Sequence, residues 1–258
     1  MTQDDLPPIA FHEMADGRRI AYRQHPGTGP LIVFLPGYMS DMAGGKAGAV
    51  MAHCVEKGRA CLLLDYSGCG QSAGDFADGT LSRWAEEVLA LIEKMGAQSV
   101  ILAGSSMGGW LMLIAGLALG ERLAGLIGIA AAPDFTDWGY PPDLKAQLER
   151  GETVWEDNPY GPEPTPTYPG FWQDGEKRRM LDGEIAIDVP VRLLHGQDDA
   201  DVPPDVSIRL AQSLRSSDVQ ITLVKNGDHR LSRDGDIALL LGTIDTMVSG
   251  AHAGPPVL

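Results

Sequence analysis

The sequence predicts one α/β domain built on a mostly parallel central sheet flanked by helices, with a single inserted segment late in the chain. Short apolar runs alternate with amphipathic helical patterns along most of the 258 residues. Parallel strands joined through helical crossovers leave that pattern. The stretch VILAGSSMGGWLML reads as strand, sharp turn and helix, with Gly104, Ser106 and Gly108 at the turn. The length suits one domain with an excursion, and a hydrophobic content of 44% can fill a large core.

PIAFHEM and RRIAYRQ read as antiparallel strands around a turn at Ala15, Asp16 and Gly17. LIVFLP is a buried strand, because a continuous apolar run fits a strand covered on both faces. Ala47 to Lys57 predicts a helix, and ACLLLD the next strand. From Leu81 to Met95, the side chains of Trp84, Val88, Leu91 and Ile92 share one side of an amphipathic helix. Val100, Ile101 and Leu102 form the strand before the sharp turn, and Met107, Trp110, Leu111, Ile114 and Leu117 recur near helical spacing after it. LAGLIGIAA, VPVRLLHG and VQITLVKN are further strands, the last two separated by a helix around Val206 to Leu214. Ile237 to Val248 closes the domain as a helix.

Between Asp134 and Asp188 this rhythm stops, and no segment reads as a good strand. The stretch holds Pro141, Pro142, Pro159, Pro162, Pro164, Pro166 and Pro169 together with Trp138, Trp155 and Trp172, and short helices are predicted at Pro142–Arg150 and Gly175–Leu181. An insertion this long is seldom plain loop, and loops at strand ends carry function. The expected plan is therefore a core from residues 1–133 and 189–258 and an inserted lid or cap from 134–188 over the active site. The competing plan is a solvated, proline-stiffened excursion with no substrate role.

A formal charge of −15 and a pI of about 4.7 argue against nucleic acid or an anionic membrane as the main partner. Cys54, Cys61 and Cys69 form neither a disulfide framework nor a zinc pattern, which fits a reducing compartment. The start, MTQDDLPP, is acidic and lacks the apolar run of a signal peptide and the arginines of a transit peptide. No apolar stretch is long enough to span a bilayer uninterrupted.

The G-x-S-x-G turn resembles the nucleophile elbow of the α/β-hydrolases. Side chains two before and two after the nucleophile would collide there, and Gly104 and Gly108 have none. The Met107 N–H, at the start of the following helix, is placed to receive a developing oxyanion. In this fold the acid and then the base follow the nucleophile along the chain. After VRLLHG, the run Gln197, Asp198, Asp199, Ala200, Asp201, Val202, Pro203 resembles the HGxxDxxVP segment of these enzymes, which puts the acid at Asp199. Asp134, just past the preceding strand, competes for that role, and His195 reads as a buried strand-end residue without chemistry. His229, on the loop after the last strand, is the expected base. The loop after LIVFLP supplies a second oxyanion donor, placed on the Tyr38 N–H. The loop DYSGCGQSAGD lacks the residues of a phosphate-binding P-loop and reads as turn chemistry.

FLPGYMSDM, DYSGCGQSAG, GSSMGGWLML, VRLLHGQDDADVP and VKNGDHR together resemble one branch of the α/β-hydrolases, that of the mitochondrial palmitoyl-protein thioesterase, also described as the mycophenolic acid acyl-glucuronide esterase. The resemblance runs from about Leu31 to the closing helix, and by motif Ser106, Asp199 and His229 match the family triad. It implies a serine hydrolase that cleaves carboxylic esters or acyl thioesters through an acyl-enzyme, with no metal or organic cofactor. The partner is a small-molecule ester or acyl thioester, extending to S-acylated protein. Trp110, Trp138, Trp155 and Trp172 are candidates for an apolar acyl pocket, Trp110 standing equally well as core, and Arg230 for contact with an anionic leaving group. Because the start departs from a mitochondrial precursor, a bacterial-type enzyme in the cytoplasm is expected. Two rivals stay open: another triad hydrolase on this fold, such as a peptidase or a C–C hydrolase, and a hydrolase-fold binding protein without turnover.

Overall fold

The computed structural model describes residues 6–158 and 161–253; residues 1–5, which carry most of the acidic start, and Pro159 lie outside them. In chain order the strands are β1 (Ala10–Glu13), β2 (Arg19–His25), β3 (Thr28–Leu35), β4 (Arg59–Leu64), β5 (Val100–Ser105), β6 (Leu123–Ile129), β7 (Val154–Glu156), β8 (Thr165–Thr167), β9 (Val191–Gly196) and β10 (Val219–Val224). The helices are α1 (Gly45–Lys57), α2 (Leu81–Met95), α3 (Met107–Leu119), α4 (Phe135–Trp138), α5 (Pro142–Glu149), α6 (Pro169–Lys177), α7 (Asp205–Ser213) and α8 (Asp234–Ala253).

The main sheet runs β1-β2-β4-β3-β5-β6-β9-β10. The β1–β2 and β2–β4 pairings are antiparallel, and all later ones are parallel. From β3 the chain crosses to β4 on one side and then returns to β5 on the other. That reversal makes a crevice at the carboxyl ends of β3 and β5, where open α/β sheets bind ligands.

Helix boundaries follow local chemistry. In α1, Ala47, Val50, Met51 and Cys54 are buried at helical spacing, and Gly58 ends the helix in the left-handed region. The Thr80 hydroxyl accepts from the Arg83 N–H to start α2, and Gly96 stops it. One face of the sheet is covered by α2, α3 and α7 around Trp84, Trp110, Leu126 and Leu210. The other is covered by α1 and α8 around Val50, Ile101, Ile127 and Ile244. The three cysteines are free and buried. No helix among the described residues is long and apolar enough to cross a membrane.

The stretch from Asp134 to Asp188 differs from expectation in two respects. It contains an antiparallel pair of strands, β7 with β8. Each has three residues, too few to leave a period in the sequence. Helix α5 lies where predicted, but α6 begins at Pro169 and ends before the predicted Leu181, because Pro169 presets the backbone of its first turn. Tyr140, Leu148, Val154 and Trp172 form a separate small core for this segment. Asp134 closes it by accepting from the Met180 and Leu181 N–H groups at 2.8–3.0 Å.

Candidate active site

Ser106 stands between β5 and α3 with φ 54° and ψ −120°, a left-handed conformation that a non-glycine residue adopts only when its surroundings enforce it. Its N–H bonds the Ile129 carbonyl at 2.9 Å, and its own carbonyl accepts from Gly109 and Ala132 at 2.8 and 3.0 Å. The flanking backbones are in close contact: a Cβ on Gly104 would lie 2.2 Å from the Gly108 carbonyl oxygen, and one on Gly108 would lie 2.1 Å from that of Leu35.

His229 and Asp199 reach Ser106 because the loops after β9 and β10 are stitched together. Gln197 and Asp198 donate their N–H groups to Val224 and Gly227, each at 2.9 Å. His229 Nε2 then lies 3.1 Å from Ser106 Oγ, and Nδ1 lies 2.9 Å from Asp199 Oδ2. The Asp199 side chain has no exposure. Burial alone pushes its carboxyl up, but hydrogen bonds from His195, His229 and the Val202 N–H outweigh it and hold the carboxyl well below the usual carboxylate range. Asp134 is instead committed to the backbone of residues 180 and 181, and burial pushes its carboxyl up.

The loop after β3 packs against the elbow: a Cβ on Gly37 would meet Ser106 Cβ at 3.4 Å. Among the described residues, neither the Tyr38 nor the Met107 N–H has a backbone acceptor, and both residues line the cleft beside Ser106. Met39 follows in the left-handed region at φ 54°. The Tyr38 ring leaves this loop to pack on Phe76 and Phe171, and its hydroxyl donates to the Pro166 carbonyl at 2.9 Å. That bond ties the loop to β8. In the DYSGCGQSAGD loop, Asp65 accepts from the Met42 and Gln71 N–H groups at 2.7 and 2.8 Å, as turn chemistry requires.

The profile of the alpha/beta hydrolase family matches residues 32–238. The chain belongs to the alpha/beta hydrolase family. The enzyme is 38% identical to the human palmitoyl-protein thioesterase ABHD10, mitochondrial, over 93% of this chain and 80% of that one. A solved putative hydrolase from Agrobacterium vitis is 36% identical, with a TM-score of 0.87 over 93% of this chain and 99% of that one. Alpha/beta hydrolase domain-containing protein 10 from mouse gives the same identity and TM-score over 94% and 99%. The expectation of a cytoplasmic enzyme does not stand, because the curated relatives matched over this length are mitochondrial proteins.

In this hydrolase a cleft of about 670 Å³ opens above Ser106. Trp138 and Arg230 line it, with Phe135 and Tyr140. The other three candidate tryptophans stand elsewhere. Trp110 is fully buried against Phe135 and donates to the Arg178 carbonyl at 3.3 Å, so it is core. Trp172 belongs to the small core of the inserted segment and donates to the Thr136 carbonyl at 3.0 Å. Trp155 points into solvent, 60% exposed.

Two residues near the site escaped the sequence reading. His195, taken as passive, lies 3.2 Å from Asp199. Lys46, which lines the cleft from the start of α1, donates to the Arg230 carbonyl. Burial and then the Arg230 charge pull its amine down to about 8. No spacing rule finds the Lys46 contact, whose partner is 184 positions away. For His195 the signal is its place at the head of the HGxxDxxVP segment, on a strand leading to the acid.

Proposed function

We propose that this hydrolase cleaves carboxylic esters or acyl thioesters by acyl transfer through Ser106. The observation that carries the reading is the His229 ring, held 3.1 Å from Ser106 Oγ on one nitrogen and 2.9 Å from Asp199 on the other. His229 Nε2 takes the Ser106 proton as Oγ attacks the acyl carbonyl. The Tyr38 and Met107 N–H groups receive the charge that moves onto the carbonyl oxygen. The C–O or C–S bond breaks, and Nε2 returns the proton to the leaving alkoxide or thiolate. Water repeats the sequence on the acyl-Ser106 and releases the acid. Asp199 remains ionised throughout, fixing the imidazole orientation and stabilising its charged form.

The choice of acyl substrates is supported by the curated relatives, which are named palmitoyl-protein thioesterases. Residues 134–188 act as the lid on a core of 1–133 and 189–258; Phe135, Trp138 and Tyr140 from this segment line the cleft, as does β8 through Thr165 and Thr167. Of the predicted contact residues, Trp138 and Arg230 line the cleft, which supports a role for them in substrate contact.

A panel of p-nitrophenyl esters, acyl thioesters and amides across chain lengths tests the reading. Ser106→Ala should lower kcat by ~10⁴–10⁶-fold on esters and thioesters alike. Turnover retained by the variant removes Ser106 from the mechanism, and amides turned over faster than esters point to a peptidase.

A further inference from the structure

We propose that His195 is a positioning residue for the catalytic acid, a second imidazole whose N–H holds the Asp199 carboxylate oxygen that faces His229. The inference rests on the triad reading above. His195, next to last in β9, has no exposure. Its Nδ1 is 2.7 Å from Ser207 Oγ in α7, while Nε2 is 2.9 Å from the Val202 carbonyl and 3.2 Å from Asp199 Oδ2. A carbonyl and a carboxylate only accept, so Nε2 must carry a hydrogen, shared between the two. That holds whether the Ser207 hydroxyl gives or takes a proton at Nδ1.

Three hydrogen bonds and one close imidazole contact thus surround the Asp199 carboxylate. Oδ1 accepts from the Asp201 and Val202 N–H groups at 2.9 and 2.8 Å, Oδ2 accepts from His229 Nδ1 at 2.9 Å, and His195 Nε2 lies 3.2 Å from Oδ2. The side chain is fully buried, so it is held by these protein donors. Without His195, Oδ2 keeps one donor, and the carboxylate gains freedom to turn away from His229. Its charge is also less satisfied, so it holds the proton on His229 more firmly. The titratable groups in contact with Asp199 are His195 from β9 and His229 from the loop after β10. Helix α7 presents Ser207 to His195, and the adjacent Asp198 and Asp201 are exposed.

The test compares wild type, His195→Leu, His195→Gln and Ser207→Ala by kcat, KM, pH profile on a p-nitrophenyl ester, melting temperature and fluorophosphonate labelling of Ser106. His195→Leu should lower kcat ~10–100-fold, the size of effect seen when an outer hydrogen bond to a working ligand is removed, with KM nearly unchanged. The acid limb of kcat/KM should move to higher pH. His195→Gln, whose amide N–H reaches the same point, should keep most of the activity. A folded His195→Leu with wild-type kcat and pH profile overturns the inference, as does an equal loss in Leu and Gln variants, which marks packing alone. If His195→Leu does not fold, Ser207→Ala decides: a lower kcat with the same shift in pH profile supports the role, and an unchanged kcat and profile overturns it. A wild-type enzyme whose Ser106 is not labelled overturns the triad reading itself, and this one with it.

Discussion

Asp199 and Asp134 are both buried carboxylates near the carboxyl edge of the sheet, and their partners separate their tasks. Asp199 faces two imidazoles, whereas Asp134 faces two backbone N–H groups of the inserted segment. Asp199→Asn should lower kcat by ~10⁴-fold while the fold persists, because the amide favours the wrong imidazole tautomer. Asp134→Asn should leave kcat within a few-fold and cost about 1–3 kcal/mol of stability, since its amide group meets N–H donors. Steady-state kinetics and thermal melts on both variants check this, and the reverse pattern would return Asp134 to the triad. The depressed Asp199 carboxyl gives a matching pH expectation. Its stabilising contribution is present above the ordinary carboxylate range of about 4 and is lost only as pH falls through the lower folded value. Asp199 therefore stays ionised through the weakly acidic range.

The β5–α3 elbow shows how one element imposes geometry on another. A methyl group on Gly108 would meet the Leu35 and Pro36 carbonyls at 2.1 and 2.5 Å, the backbone that leads into the Tyr38 loop. Backbone must move to admit it, so on the proposed mechanism Gly108→Ala should lower kcat ~100-fold or more by displacing the Tyr38 and Met107 N–H groups. A Cβ on Gly116, on the same helix, would meet only side-chain ends, those of Leu123 at 3.2 Å, Leu126 at 3.6 Å and Ile187 at 3.7 Å. Gly116→Ala should be tolerated within ~1 kcal/mol, since alanine also favours the helix. Melting temperatures and fluorophosphonate labelling rates of the pair check this, and equal tolerance would show that the elbow is not tightly packed.

Across the molecule, Arg18 joins the β1–β2 turn to α2 by pairing with Glu87, whose side chain has no exposure. Glu87 also accepts from the Ser67 N–H at 2.9 Å, and burial pushes its carboxyl up. Removing Arg18 strands a buried carboxylate. Arg18→Leu should cost about 3–5 kcal/mol, a fall of roughly 10 °C in melting temperature for a chain of this size. Adding Glu87→Gln should recover part of the loss, because the neutral amide oxygen still accepts from Ser67. A double-mutant cycle by thermal melts measures the coupling, and additive losses would mean that the pair is not coupled.

The order of strands and helices was legible because burial imposes its period within one element. LIVFLP, CLLLD and VILAG are covered on both faces, and Leu81–Met95 carries one apolar side. The elbow was legible because close backbone contact demands glycine two residues before and after Ser106. The three-residue strands β7 and β8 were not, since their pairing depends on a partner across a loop. The same limit hid the contact of His195 with Asp199 and the separate destinations of Trp110, Trp155 and Trp172. Local sterics and periodic burial settle what each segment becomes, and they are written residue by residue. Which carboxylate meets which imidazole, and which aromatic ring faces the cleft, is settled only when loops distant in sequence close on one another in the folded chain.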